Sequence, residues 1–192
     1  MIKFRWGASP EEMIFDAAPP FIKFALGENV KQSNWGSDYR TRFPQTRMGV
    51  EQVYYDHFIR AREYEQSWKS HRQILRNASR KAKRNNTLPA APRRDLELEA
   101  LSEILNSERF VTCHSYRQDE INMLMHVADS MGFTINTFTH ILEGYKVADK
   151  MADHGAGGSS FSDWWAYKFE VKDAIPYNGA VLHGQGIVTA FN

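Results

Sequence analysis

RFVTCHSYRQDEINMLMHVADSMGFTINTFTH, residues 109–140, reads as one complete strand–helix–strand unit. Arg109–His114 is a short apolar run rich in β-branched and aromatic residues, the composition of a buried strand. Asp119–Met131 then repeats its apolar positions at helical spacing, and Gly132 stands where a left-handed C-terminal cap is wanted. Phe133–His140 is a second strand. Two strands separated by a helix of this length imply a parallel pair with a crossover.

The same rhythm continues on both sides. Downstream, Gly144–His154 reads as a helix closed by Gly155, and the glycine-rich Ala156–Phe161 as a short strand. Ala174–Gly184 reads as a helix with Pro176 in its first turn, and Ile187–Phe191 as a final strand. Upstream, Phe21–Leu26 is an apolar strand closed by Gly27, preceded by a loop or short turn over 1–20 and followed by a long loop over 28–46. A long helical pattern begins near Met48, with Val50, Tyr54, Phe58, Ala61, Tyr64, Trp68, Ile74, Leu75 and Ala78 on one face, and ends before Asn85. After the breaker Leu88–Pro92, Asp95 is placed to cap a second helix running to about Ser107. The fold class is therefore α/β, with residues 48–107 as a long helical insertion.

Composition sets outer limits. The 192 residues suit one domain or one and a half, and 42% apolar with 24% charged residues is ordinary for a globular chain. No stretch approaches the roughly 20 apolar residues of a membrane span. With 13% aromatics, disorder is not expected. A single cysteine, Cys113, excludes an internal disulfide framework and a cysteine-only zinc cluster. Residues 1–13 carry no long apolar run followed by a small-residue cleavage site. Charge is uneven: Arg60–Arg94 holds eleven basic residues against Glu63 and Glu65, a net +9, leaving −8 for the rest of a chain whose formal charge is +1. A basic stripe is one signature of nucleic-acid binding. Because no base-stacking aromatics are interleaved with the charges after Trp68, a solvated helix face is the preferred reading, and no nucleic-acid partner is expected.

The chemistry-bearing positions follow from the alternation. His114 and His140 end successive strands, 26 residues apart. Parallel neighbours place their carboxyl ends at one edge of the sheet, where α/β folds hold their sites. Two imidazoles meeting there form a candidate pair of ligands for a divalent metal, and the alternative is two hydrogen-bonded strand-end histidines. Lys23, in the middle of an apolar strand, is a third candidate. Once desolvated it becomes chemically usable, for instance by carboxylation to an anionic oxygen ligand. The plainer reading is a strand-edge lysine whose ammonium reaches solvent, and spacing alone favours it. Tyr116, Arg117 and Glu143 follow the two histidine strands, and Asp163, Trp164 and Trp165 follow the glycine-rich one. All six are candidates to contact substrate. Asp119 is equally well explained as a helix cap. His57, His71, His126, His154 and His183 are read as structural.

Several blocks resemble a known family: CHSYRQDEINMLMHVADSMGF (113–133), FTHILEGYKVADKMADHGAGGSSFSDWWAYKFE (138–170) and DAIPYNGAVLHGQGIVTAFN (173–192), with IKFALGENVK (22–31) and TRMGVEQVYYDHFIRAREYEQSW (46–68). They are similar to the amidohydrolase superfamily, and within it to the imidazolonepropionase-like metal-dependent hydrolases. The similarity runs from about Pro20 to Asn192. It implies a TIM-type (β/α)8 barrel holding one or two divalent metals, most commonly zinc. It implies that His114 matches the ligand on the fifth strand, His140 the ligand on the sixth and Lys23 the lysine of the fourth. The family's His-x-His occurs nowhere in this sequence, and its strand-eight aspartate would fall just past Asn192. The resemblance thus implies the C-terminal part of such a barrel, about strands four to eight over residues 1–192. Its partners would be the remainder of its own barrel and a small-molecule or peptide substrate. The reaction implied is hydrolysis of a C–N bond by metal-activated water, with an isolated fragment inactive. The alternatives are a non-catalytic binding module on a degenerate barrel, or nucleic-acid binding through the basic helix over 60–94.

Overall fold

A computed structural model describes residues 4–31, 43–85, 87–164 and 166–192. Its elements are β1 (Phe21–Ala25), α1 (Arg47–Asn77), α2 (Arg80–Arg84), α3 (Leu96–Leu105), β2 (Phe110–His114), α4 (Gln118–Met131) and β3 (Ile135–Thr139). There follow α5 (Ala148–His154), β4 (Gly157–Ser160), α6 (Asn178–Gly184) and β5 (Thr189–Phe191). All five strands are parallel and lie in sequence order, β1-β2-β3-β4-β5. A parallel sheet wound in strict sequence order, with its helices packed on one face, has the arrangement of a partial barrel-like wall.

The helix-facing side of the sheet is dry. Val111, Cys113, Ile135 and Phe138 are fully buried there, against Phe58, Ile121, Leu124, Met151 and Leu182. The opposite face is mixed. Phe21 and Phe110 pair across it at 5.5 Å, while Lys23, in register with Thr112, is exposed. Two-residue alternation sorts helix-packing from site-facing residues in β1 and β2, whereas a register shift at Val111/Thr112 puts Ile135 and Phe138 of β3, three residues apart, on the same face.

Local chemistry sets the helix ends. Thr46 Oγ1 accepts from the Gly49 amide to start α1, and Asp95 accepts from the amides of Glu97 and Leu98 to start α3. Gly132 closes α4 in the left-handed conformation (φ 73°), which a side chain would resist. Three boundaries differ from the sequence reading. The long helix stops at Asn77: Ala78 is extended, and the Ser79 hydroxyl caps a separate short helix. Gly144–Lys146 is a single 3-10 turn ahead of α5. The last helix begins at Asn178 rather than Ala174, leaving Pro176 outside it. The Asn178 side chain is buried and donates to Ile141 O (2.8 Å) and Ser160 Oγ (2.7 Å), which fixes where that helix starts. Most of the expected loop over 28–46 lies outside the described residues.

Only the first half of α1 reaches the core. Its buried residues are Gly49, Val50, Phe58 and Ala61, whereas Ile74 and Leu75 are exposed. Of the basic stripe, Lys69 pairs with Glu65, Arg94 with Glu99, and Arg62 donates to Met131 O at 2.9 Å. No described helix is long and apolar enough to cross a membrane.

Candidate functional site

The parallel register places Ala25 beside His114 and His114 beside Thr139. His114 and His140 therefore meet at the carboxyl edge of the sheet, with ring centroids 4.5 Å apart. Aromatic rings continue from both. Tyr116 meets His114 edge-on at 5.0 Å, Phe161 stacks on His140 at 4.9 Å, Trp164 stacks on Phe161 at 4.1 Å, and Tyr167 meets Trp164 at 5.4 Å. The Lys168 ammonium sits 4.3 Å from the Tyr116 ring centre, a cation–π contact that closes this wall.

Burial first, and neighbouring charge second, lowers the pKa of both imidazoles. Burial, helped by His140, Lys23 and Lys168, pushes the His114 pKa down to about 4. Burial and the charge of Lys23 also lower that of His140. Lys23 thus lies close enough for both rings to feel its ammonium. Burial and a hydrogen bond with Tyr167 push the Tyr116 hydroxyl up to about 12, so it stays protonated at neutral pH. A histidine whose folded pKa lies below its free value is neutral in the fold and charged in the unfolded chain between the two. Its stabilising contribution is complete above about 6.5, the free value, and is lost as pH falls from there toward 4. An NMR titration of the metal-free chain is expected to show His114 changing protonation near pH 4. A midpoint near 6.5 would contradict this environment.

Beside the histidines lies a buried charge network. Glu120 and Glu170 are each 2% exposed and Lys31 5%. Glu120 accepts from Lys31 Nζ (2.9 Å), Arg47 Nε (2.9 Å) and Ser115 Oγ (3.3 Å). Glu170 accepts from the Glu28 amide (3.2 Å) and Lys168 Nζ (3.0 Å). Gly27 makes room for the Glu170 carboxylate, because a β-carbon there would stand 2.7 Å from Glu170 Oε1. A cavity of about 390 Å³ opens over this network, between Lys31, Arg47 and Phe169.

The remaining sequence candidates divide. Arg117 holds Asp119 through two bonds (3.0 and 3.1 Å), so Asp119 is an ion-pair partner at the start of α4 rather than its cap. Glu143 is 5% exposed and accepts from the Gln118 amide at 3.1 Å, which ties down the start of α4. Asp163 and Trp164 are exposed on the loop after β4, and Trp165 lies outside the described residues. His154 is satisfied structurally, donating to Asp129 (2.8 Å) and accepting from the Ile135 amide (3.0 Å). Sequence reasoning missed Lys31, Lys168, Glu170, Ser159 and Asn192. Lys31 sits in a loop with no local pattern to mark it.

The donor chemistry at His114 and His140 fits a divalent metal, since neutral imidazole is the ligating form. It is a partial set. No group of three or more His, Cys, Asp or Glu that could hold an ion occurs among the described residues, and catalytic zinc takes three protein ligands.

No family model matches the chain, and no curated protein matches it. A solved structure does: an amidohydrolase from Thermotoga maritima, with a TM-score of 0.72 and 25% sequence identity. The chain has an amidohydrolase-like fold. The match covers 94% of this chain and 43% of that one, so the chain spans less than half the length of the structure it resembles.

Proposed function

We propose that this chain forms the C-terminal part of a TIM-type barrel in an imidazolonepropionase-like, metal-dependent hydrolase acting on C–N bonds in an amide, a cyclic amide or a small peptide. The observation that carries the reading is the meeting of His114 and His140 at the carboxyl edge of a parallel sheet. The similarity to the Thermotoga amidohydrolase supports it.

In this reading His114 and His140 hold a divalent metal, most commonly zinc, and Lys23 supplies a further ligand once carboxylated. The metal supplies a polarised carbonyl and a water whose pKa is lowered toward 7. The other ligands, and the group that moves the proton, belong to the rest of the barrel. Tyr116, protonated at neutral pH, is a hydrogen-bond donor for a substrate oxygen. Arg117, Glu143, Asp163 and Trp164 are the groups proposed to contact substrate, with Trp165, outside the described residues, proposed from the sequence alone, and the Phe161–Trp164 stack excludes water from one side.

The test is a zinc titration of the 192-residue chain by calorimetry, followed by a hydrolysis screen of the intact barrel. Zinc is expected to bind at one site, and His114→Ala or His140→Ala to weaken it at least tenfold. Unchanged affinity in both variants would exclude the pair as ligands. A second reading is a non-catalytic binding module, in keeping with a set of only two histidines among the described residues, and it predicts no zinc binding in the unaltered chain.

A further inference from the structure

His140 is held on three sides. It adopts a left-handed backbone conformation (φ 66°), stacks on Phe161, and lies against His114. On the third side Asn192 Nδ2 donates to His140 Nδ1 at 2.8 Å. Asn192 is itself fixed twice. Its amide N–H donates to Ser160 O (2.9 Å), extending the β4–β5 ladder past Phe191, and its Oδ1 accepts from Ser159 Oγ at 2.6 Å. Ser159 is 7% exposed, and its carbonyl accepts from the Ile141 amide at 3.1 Å. The residue after His140 and the side chain bonded to His140 therefore hang on the same serine.

In this orientation of the Asn192 amide, Nδ1 is the accepting nitrogen. A nitrogen that accepts is unprotonated, so the neutral ring bears its hydrogen on Nε2. An Nε2–H cannot bind a metal. A metal-bound histidine instead donates its other ring N–H to an acceptor, which fixes the tautomer and orients the ring. Asn192 contains both functions. Reversing its amide would put Oδ1 against an Nδ1–H, and Ser159 Oγ would then accept from Nδ2. The same heavy atoms satisfy either state.

We propose that Ser159 and Asn192 act as a tautomer clamp on His140, holding its proton on Nε2 in the metal-free chain and coupling metal entry at Nε2 to reversal of the Asn192 amide. Asn192 is thereby a positioning residue. The coupling rests on the metal reading above, whereas the metal-free tautomer does not. On metal entry the Nε2 proton passes to solvent and Nδ1 takes one up, so the ring stays neutral.

Nitrogen-15 NMR of the histidine rings in the full 192-residue chain tests this, with zinc ions as the probe. Without metal, the unaltered chain is expected to show His140 as the Nε2–H tautomer. Asn192→Ala is expected to give a mixture, as is Ser159→Ala to a smaller degree. Asn192→Asp, which can only accept, is expected to give Nδ1–H and to bind zinc at least about tenfold more tightly than Asn192→Ala, the scale of a lost hydrogen-bond partner behind a ligand. An Nδ1–H tautomer in the unaltered metal-free chain overturns the clamp, as does a tautomer indifferent to Asn192→Ala. Zinc that leaves the ring nitrogens of both histidines unmoved, with the Asn192→Ala response intact, overturns the metal reading and the coupling together. Zinc that shifts His140 equally in all variants overturns the coupling alone.

Discussion

Glu120→Ala is expected to destabilise the fold by about 3–5 kcal/mol, the usual cost of removing one partner from a buried ion pair. The carboxylate is 2% exposed and Lys31 5%, so the ammonium would be left buried without its counter-charge. Arg47 loses less, because it is partly exposed and has Asp119 at 3.7 Å as a second partner. Ser115, next to His114, would lose the acceptor at 3.3 Å that fixes its hydroxyl. The variant Glu120→Leu combined with Lys31→Met serves as the control. Removing both charges together relieves the desolvation cost and is expected to recover most of the loss. Urea unfolding of the three chains measures it. A single variant within about 1 kcal/mol of the unaltered chain would show that water reaches Lys31 and that the pair is not buried in solution.

Phe58→Ala is expected to cost a similar amount, about 3–5 kcal/mol. Phe58 lies on α1 yet is fully buried, with its ring centre 4.5 Å from that of Phe133 and 6.3 Å from that of Phe24. One side chain thus joins the helical segment to a strand and to the turn after α4. Ile74→Ala, on the exposed half of the same helix, is expected to change stability by no more than about 0.5 kcal/mol. Far-UV circular dichroism during denaturation reads both. A loss under about 1 kcal/mol for Phe58→Ala would make residues 48–107 an appendage to the sheet. The full loss, in one transition, would make the first half of α1 part of the core.

The two variants mark where sequence reading succeeds. The five strands, the main helices, the Asp95 cap and the Gly132 turn follow from patterns confined to a few neighbouring residues. Such patterns report which face of an element is apolar and where its backbone bonds run out. The meeting of His114 and His140 was legible for the same reason, since parallel order converts sequence position directly into position along one edge. The break at Ala78 was not. Helical spacing continues through it, and the outcome depends on whether the core still reaches that far along α1. By Asn77 it does not.

What the amino-acid sequence determined by itself is the alternation of strands and helices, the parallel order and the edge where the chemistry gathers, because each depends on local periodicity and chain direction. What only the tertiary structure decided is which polar groups are committed to one another. Glu120 meets Lys31 across 89 residues and Glu170 meets the Glu28 amide across 142, and no local pattern connects such positions. The same holds for Asn192 and His140, 52 residues apart. Sheet order brings those two ends into reach of each other, whereas at Glu120 and Glu170 a buried carboxylate must find a partner or carry an unmet desolvation cost.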